Sequence, residues 1–397
     1  MKVLGIIAEY NPMHNGHIYH LAKAKEITGA DKVVLVMSGS FTQTGNISCL
    51  DKFTKANIAV NLGIDLVLEL PTIYSTSSSE YFASGAIKLL NSLGIVDCIC
   101  FGAECDDITI LSSIADKIID NQEAIWKNIR DMDKNISFAA NRSMALMNYL
   151  DADEYVEISK SNNILGIEYI KAIKNQKSNI IPYAIKRNKS GFKDLEITTD
   201  MPSSTSIRNT LRKKDLSLIL SSVPGEVHYA LRTHSYVLNE DMFKLLKYKI
   251  EAMSKDDLSK INEIKEGLEN KIKKAIIEAE DYDDLIRMVR SKRYPLTTIK
   301  RIFVNIMLNI TKEFFNEVIN YEKIYAHVLS CSKDGKILLS EISKKSSVPI
   351  FTSINDNILS NLDRVMFKMI NLDIFASNTH SIISNNKLNL DYTNHLK

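Results

Sequence analysis

The sequence predicts an α/β fold, a doubly wound parallel sheet in the first part of the chain followed by a mainly helical C-terminal part. Three observations carry this. Short, nearly all-apolar runs recur through the first hundred residues, as suits strands covered on both faces. Helical stretches stopped by glycine separate them. After about Leu216 the alternation ends, and long charged amphipathic segments take over.

Taken in order, residues 3–8 (VLGIIA) form the first strand, and 17–28 a helix stopped by Gly29. Residues 31–37 are a second strand, broken by Ser38-Gly39-Ser40, and 50–62 a helix ended by Gly63. Residues 65–70 are a third strand ended by Pro71, 79–93 a helix ended by Gly94, and 97–101 a fourth strand closed by Gly102. Residues 107–150 read as helical, 162–173 as a helix, 180–185 as a strand and 203–214 as a helix capped by Ser203 or Ser204. Beyond it, 240–253 and 256–279 are the clearest helical segments. The expected division is 1–215 and 216–397. In such sheets ligands bind beyond the carboxyl ends of the strands, so the loops at 9–16, 38–45 and 102–104 should converge on one crevice.

Composition narrows the class. With 45% hydrophobic and 25% charged residues the chain can bury a large core unaided. A net charge of +2 makes any nucleic-acid surface a local patch. Five cysteines without paired CxxC spacing fit reduced thiols, and Cys98 and Cys100 fall in a strand as small core residues. The N-terminus lacks signal-peptide anatomy, and no apolar run reaches the roughly 20 residues of a membrane helix. A cytoplasmic protein is expected.

The chemistry concentrates at Glu9-Tyr10-Asn11-Pro12-Met13-His14-Asn15-Gly16-His17, where the first strand hands over to the first helix. Free N–H groups and the macrodipole favour an anion at a helix start. Gly16 lets the backbone approach a nucleotide closely. His14 and His17, three apart, can face the same way and hydrogen-bond the charge that builds at an attacked phosphorus. Zinc is the competing use of two such histidines, but no third ligand lies nearby at suitable spacing, and no metal site is expected. Ser203-Ser204-Thr205-Ser206-Ile207-Arg208 adds hydroxyls, helix-start N–H groups and a guanidinium, a second phosphate clamp.

These two motifs resemble the HxGH nucleotidyltransferase superfamily, whose members have a Rossmann-like domain and attack the α-phosphate of a nucleoside triphosphate. The chain as a whole resembles a narrower family, the bacterial tRNA(Met) cytidine acetate ligases. The similarity lies in Gly5–His20, Met37-Ser38-Gly39-Ser40-Phe41-Thr42-Gln43, Asp65–Pro71, Ser79-Glu80-Tyr81-Phe82-Ala83, Phe101-Gly102-Ala103-Glu104, Ser161-Asn162-Asn163-Ile164-Leu165-Gly166 and Ile185-Lys186-Arg187. It continues more loosely through Arg293-Tyr294-Pro295-Leu296-Thr297 and Ser346-Ser347-Val348-Pro349-Ile350. The resemblance implies that ATP and acetate form acetyl-adenylate, whose acetyl group passes to the wobble cytidine of elongator tRNA(Met) to give N4-acetylcytidine. It implies catalytic roles for His14 and His17. It places ATP on Ile7, Ala8, Glu9, Tyr10, Asn11, Pro12, Met13, His14, Asn15, Gly16, His17, Ile18, Tyr19 and His20. Further ATP contacts come from Gly102, Asn163 (Asn162 if the register shifts by one) and Arg187, and from Ser204, Thr205 and Arg208 of the clamp. Mg²⁺ is expected with the triphosphate. Met13 stands where an aromatic residue is usual, and Thr44 where an arginine is expected.

An RNA partner needs a basic surface. Arg287, Arg290, Lys292, Arg293, Lys300 and Arg301 are the candidates, with Tyr294 able to stack on an unpaired base. Arg208, Arg212, Lys213 and Lys214 form a second cluster. Neither a membrane nor DNA is an expected partner. Loops 38–43 and 75–81 are candidates for the acetate site. Two other functions remain open: a small-molecule adenylyltransferase, which would not need the basic helical extension, and a non-catalytic RNA-binding protein on a relic nucleotide fold, which would not need the full histidine and arginine set.

Overall fold

In the computed structural model, which describes residues 1–133, 136–187 and 203–394, seven strands form one sheet in the order β5-β4-β1-β2-β3-β6-β7. They are β1 (Val3–Ala8), β2 (Lys32–Ser38), β3 (Leu66–Leu70), β4 (Cys98–Ala103), β5 (Ile181–Lys186), β6 (Ala326–Cys331) and β7 (Ile350–Phe351). The first five run parallel. Helices Asn15–Thr28, Lys52–Asn61, Ser79–Ser92 and Ser161–Asn175 connect or flank them.

The apolar runs explain the central strands. Val33, Val34, Leu35, Val36 and Met37 are all fully buried, so both faces of β2 are covered. Each expected parallel strand is present within a residue or two of its expected bounds, and each expected glycine stop at 29, 63 and 94 takes a positive φ. Aspartates fix the amino ends. Asp31, Asp97 and Asp65 accept the Lys2, Val3 and Val33 backbone N–H groups at 2.7, 2.7 and 2.8 Å.

Strand order reverses at β1. The chain moves one way through β2 and β3, then returns to place β4 and β5 on the other side. The crevice beyond the carboxyl ends of β1 and β4 is therefore the switch point at which such sheets hold ligands.

Two expectations are corrected. No strand was expected beyond residue 216, yet β6 and β7 extend the sheet, β6 antiparallel to β3. β6 reads AHVLSC, and its histidine and serine interrupt the apolar signal. The single helix expected over 256–279 is two, Lys255–Lys260 and Leu268–Glu278, because Ile261 bridges to Thr311 and Gly267 takes a φ of 87°. The expected helical stretch over 107–150 comprises Ile108–Asp120, Gln122–Asp131 and Phe138–Leu146. Lys134 and Asn135, within it, lie outside the described residues.

The C-terminal part is tied to the sheet by a buried polar network. Lys52 Nζ contacts Glu69 on β3 at 2.8 Å and Asp391 at 2.5 Å. His327 of β6 meets Glu69 at 2.8 Å, and Asp373 accepts from Tyr325 at 2.5 Å.

Candidate active site

Beyond β1 the chain turns through residues 9–14 into the helix Asn15–Thr28. Tyr10 holds a φ of 46°, and Asn11 pins the turn from below. Its side chain donates to the Ile47 carbonyl at 2.9 Å and accepts from the Cys49 N–H at 2.7 Å. Lys55 pins the same turn from behind, where Nζ donates to the Glu9, Ser38 and Gly39 carbonyls at 3.0, 2.8 and 3.0 Å and to Ser48 Oγ at 2.9 Å. Burial among these neutral acceptors pushes the Lys55 ammonium down to about 8.

The two signature histidines lie ring against ring, centroids 3.8 Å apart and 28° from parallel. The His14 backbone N–H donates to His17 Nδ1 at 3.2 Å. Burial holds the imidazoles neutral: His14 is pushed down to about 3, also by the charges of Arg187 and Arg208, and His20 to about 4, also by Arg187. His17 lies well below its ordinary value through burial and its cationic surroundings. A neutral ring that accepts at Nδ1 carries its proton on Nε2, so His17 offers Nε2–H as a donor. Gly16 leaves room for this stack, since a Cβ there would stand 3.0 Å from the His14 ring and press on it.

The second motif meets the first directly. Ser203 caps the helix Ser204–Leu211 by accepting from the Ser206 N–H at 3.1 Å. Arg208 Nη1 donates to the Asn11 carbonyl at 2.6 Å, Nη2 to Thr205 Oγ1 at 3.2 Å, and Ser204 Oγ to the Pro12 carbonyl at 3.3 Å. Residues almost two hundred positions apart are thus brought together at the first turn.

The site opens into a cleft of about 1560 Å³. Of the sequence candidates, Ile7, Ala8, Glu9, Tyr10, His14, Gly16, His17, Tyr19, His20, Gly102, Arg187, Ser204, Thr205 and Arg208 line it. Asn11, Pro12, Met13, Asn15 and Ile18 do not, and the first three support the turn from the buried side. Asn163 is also outside the cleft. Its Oδ1 accepts from the Glu104 and Cys105 N–H groups at 2.9 and 3.0 Å, and its Nδ2 donates to Glu157 Oε2 at 2.7 Å. Asn162 lines the cleft in its place, bridging Glu104 Oε1 at 2.7 Å and Arg187 Nη1 at 2.9 Å.

The basic run divides. Arg287, Arg290 and Lys292 are exposed, with Arg287 paired to Asp284. Arg293 lines the cleft, and Arg301 does so while buried against Glu263 at 2.7 Å. Lys300 donates to Asn46 Oδ1 at 3.0 Å. Tyr294 lines the cleft with most of its ring buried beneath Arg293, so it presents little face for a base. Thr44 closes its own turn, its hydroxyl 2.6 Å from Asn46 Nδ2. Sequence reasoning missed Lys55, although a lysine among Phe53, Ala56, Ile58 and Ala59 on an apolar helix face was a usable signal.

Among the described residues one group of three potential metal ligands comes together, Glu69, His327 and Asp391. Lys52 Nζ already sits within 2.8 Å of two of these side chains, away from the cleft, so the group is an ion-pair network.

The chain matches the model of the HIGH nucleotidyl transferase family over residues 1–394. It is 39% identical over 395 residues to a tRNA(Met) cytidine acetate ligase of Clostridium novyi, covering 97% of this chain and 96% of the relative. It is 37% identical to one of Acetivibrio thermocellus, covering 96% and 94%. The apo crystal structure of Thermotoga maritima TmcAL superposes with a TM-score of 0.95 at 32% identity, over 100% of this chain and 99% of the other. The same protein bound with alpha-thio ATP superposes at 0.92 and 31% identity, with the same coverage. The chain therefore belongs to the HIGH nucleotidyl transferases and, within them, to the tRNA(Met) cytidine acetate ligases.

Proposed function

We propose that this protein uses ATP to activate acetate as acetyl-adenylate, then acetylates the wobble cytidine of elongator tRNA(Met) at N4. The observation that carries the proposal is the meeting of the two phosphate-facing motifs, Arg208 on the Asn11 carbonyl beside the stacked His14 and His17. An acetate oxygen attacks the α-phosphorus of ATP, pyrophosphate leaves, and the N4 amine then takes the acetyl group with release of AMP. His17 donates Nε2–H to the phosphate oxygens as charge builds on them, and the neutral rings need no proton transfer to do so. The first helix start and Arg208 hold the remaining phosphate charge. Glu9, Tyr10, Gly102, Asn162 and Arg187 form the rest of the nucleotide seat, and Asn163 supports it from behind.

Mg²⁺ would come with the triphosphate, held mainly by phosphate oxygens and water, its usual mode. Glu9 is the carboxylate of the first loop in the cleft, and its Oε1 accepts the Gln43 N–H at 2.7 Å. Residues 216–397 supply the tRNA-binding part, with Arg290 and Lys292 as its exposed cations and Arg293 at the cleft. No helix among the described residues is long and apolar enough to cross a membrane, and the cysteines are free. This suits the cytoplasm, where tRNA and reduced thiols are found. The test is ATP–pyrophosphate exchange: the reading requires exchange that depends on acetate, and exchange indifferent to acetate overturns it.

A further inference from the structure

The cleft of about 1560 Å³ is larger than the roughly 300–1,000 Å³ of ordinary small-molecule sites, so a nucleotide leaves part of it unfilled. Part of its wall is formed by helix Gln122–Asp131, where Trp126, Ile129 and Arg130 share one face at spacings of three and four and all line the cleft. Phe138 opens the next helix and brings its ring to 5.6 Å from the Trp126 ring, tilted by 32°. Both rings are left in water, 37% and 41% exposed, whereas Ile125 beside them is buried. Arg130 is exposed and lines the same cleft, whereas Arg142 is held on Glu168 and Arg187 on Asn162. Two exposed aromatic faces beside the Arg130 guanidinium suit an occupant with a flat π surface and a phosphate, which enters from solvent as part of a larger molecule.

We infer that Trp126 and Phe138 form a stacking platform for an unpaired base of the RNA substrate, an assignment that rests on the tRNA-acetylating function proposed above. Single-stranded loop bases are bound by stacking on aromatic rings because every base offers a π face. Arg130, on the same helix as Trp126, neutralises a flanking phosphate. Exposure favours RNA over the adenine of ATP, since a seat enclosing one small nucleotide would bury its rings.

Trp126 is the single tryptophan of the chain, so its emission reports on this place alone. The experiment titrates the full-length protein with unmodified tRNA(Met) and, separately, with ATP and Mg²⁺, while filter retention measures RNA binding independently. The expected result is quenching by tRNA and none by ATP. Trp126→Ala should raise the KM for tRNA about 10- to 100-fold and leave acetate-dependent ATP–pyrophosphate exchange unchanged, while Trp126→Phe keeps most of the tRNA affinity. Quenching by ATP alone, unchanged emission with tRNA bound, emission that follows protein concentration instead of RNA, or an unchanged tRNA KM in Trp126→Ala each overturns the platform. The two readings separate. Cytidine labelled by the wild type while Trp126 stays silent removes the platform and leaves the reaction. Quenching by tRNA without any labelled nucleoside keeps the platform and removes the reaction.

Discussion

The N–H of His14 decides which nitrogen of His17 is left to act as a donor, because its 3.2 Å bond occupies Nδ1 and puts the ring proton on Nε2, the nitrogen proposed to face the nucleotide. His17→Ala removes that donor from a site already organised for it, and loss of one such donor costs roughly 10²–10³ in turnover. Circular dichroism and melting temperature should stay near wild type, and wild-type kcat in a folded variant would remove His17 from the mechanism. Gly16→Ala places a methyl 3.0 Å from the His14 ring and should displace that ring slightly against His17, lowering kcat without loss of the fold. The same histidines set a pH dependence. His14 and His20 stay neutral down to about 3 and about 4, whereas in the unfolded chain they gain protons near 6.5. The unfolded state therefore binds more protons between these values, so this contribution is complete above about pH 6.5 and falls as pH drops, by up to about 1.4 kcal/mol per pH unit for each histidine. Thermal melts from pH 7 to 4.5 should show falling stability, with a shallower slope in His20→Gln; identical slopes would assign the acid sensitivity elsewhere.

Elements were legible where one segment carried its own signal. The runs at β1 to β4, the glycine stops and the helix-start histidines are local patterns, and the structure keeps them. β6 was not legible because its partner β3 lies some 260 residues earlier and its apolar run is broken by His327 and Ser330, which meet Glu69 and Asn57. The basic run at 287–301 looked uniform in sequence. The helix Leu296–Leu308 turns Arg301 inward onto Glu263 and leaves Arg290 and Lys292, before its start, in solvent. Asn162 and Asn163 were indistinguishable by composition, and the saturated bonds of Asn163 separate the buried residue from the one that lines the cleft. The loop at 38–46 depends on close packing at Gly45, whose φ is 72° and where a Cβ would stand 2.4 Å from the backbone of Arg301. Gly45→Ala should therefore destabilise the protein by more than about 1 kcal/mol, read as a lower denaturation midpoint. The exposed cations belong to the same scale. Arg290→Ala with Lys292→Ala should weaken tRNA binding and reduce the salt slope, while nucleotide exchange stays constant. An unchanged slope would place the RNA elsewhere.

For the whole molecule, the C-terminal half closes the catalytic sheet as well as extending from it. β6 pairs with β3, and Lys52, Glu69, His327 and Asp391 join residues from both ends of the chain in one buried network. Removing one partner from a buried ion network leaves charge uncompensated, at roughly 3–5 kcal/mol. Lys52→Met should lower stability by about that amount, and an equilibrium unfolding midpoint equal to wild type would show the network to be dispensable. Arg301 and Tyr294 bring the C-terminal half to the same cleft that His17 lines, so that under the proposed function ATP and RNA would meet in one chamber. The most direct test of that central claim incubates the purified protein with ATP, Mg²⁺, labelled acetate and bulk bacterial tRNA, then digests the tRNA and identifies the labelled nucleoside by mass. Labelled N4-acetylcytidine is expected, lost in His17→Ala; ATP split to AMP and pyrophosphate with no label in tRNA would rule out transfer to cytidine.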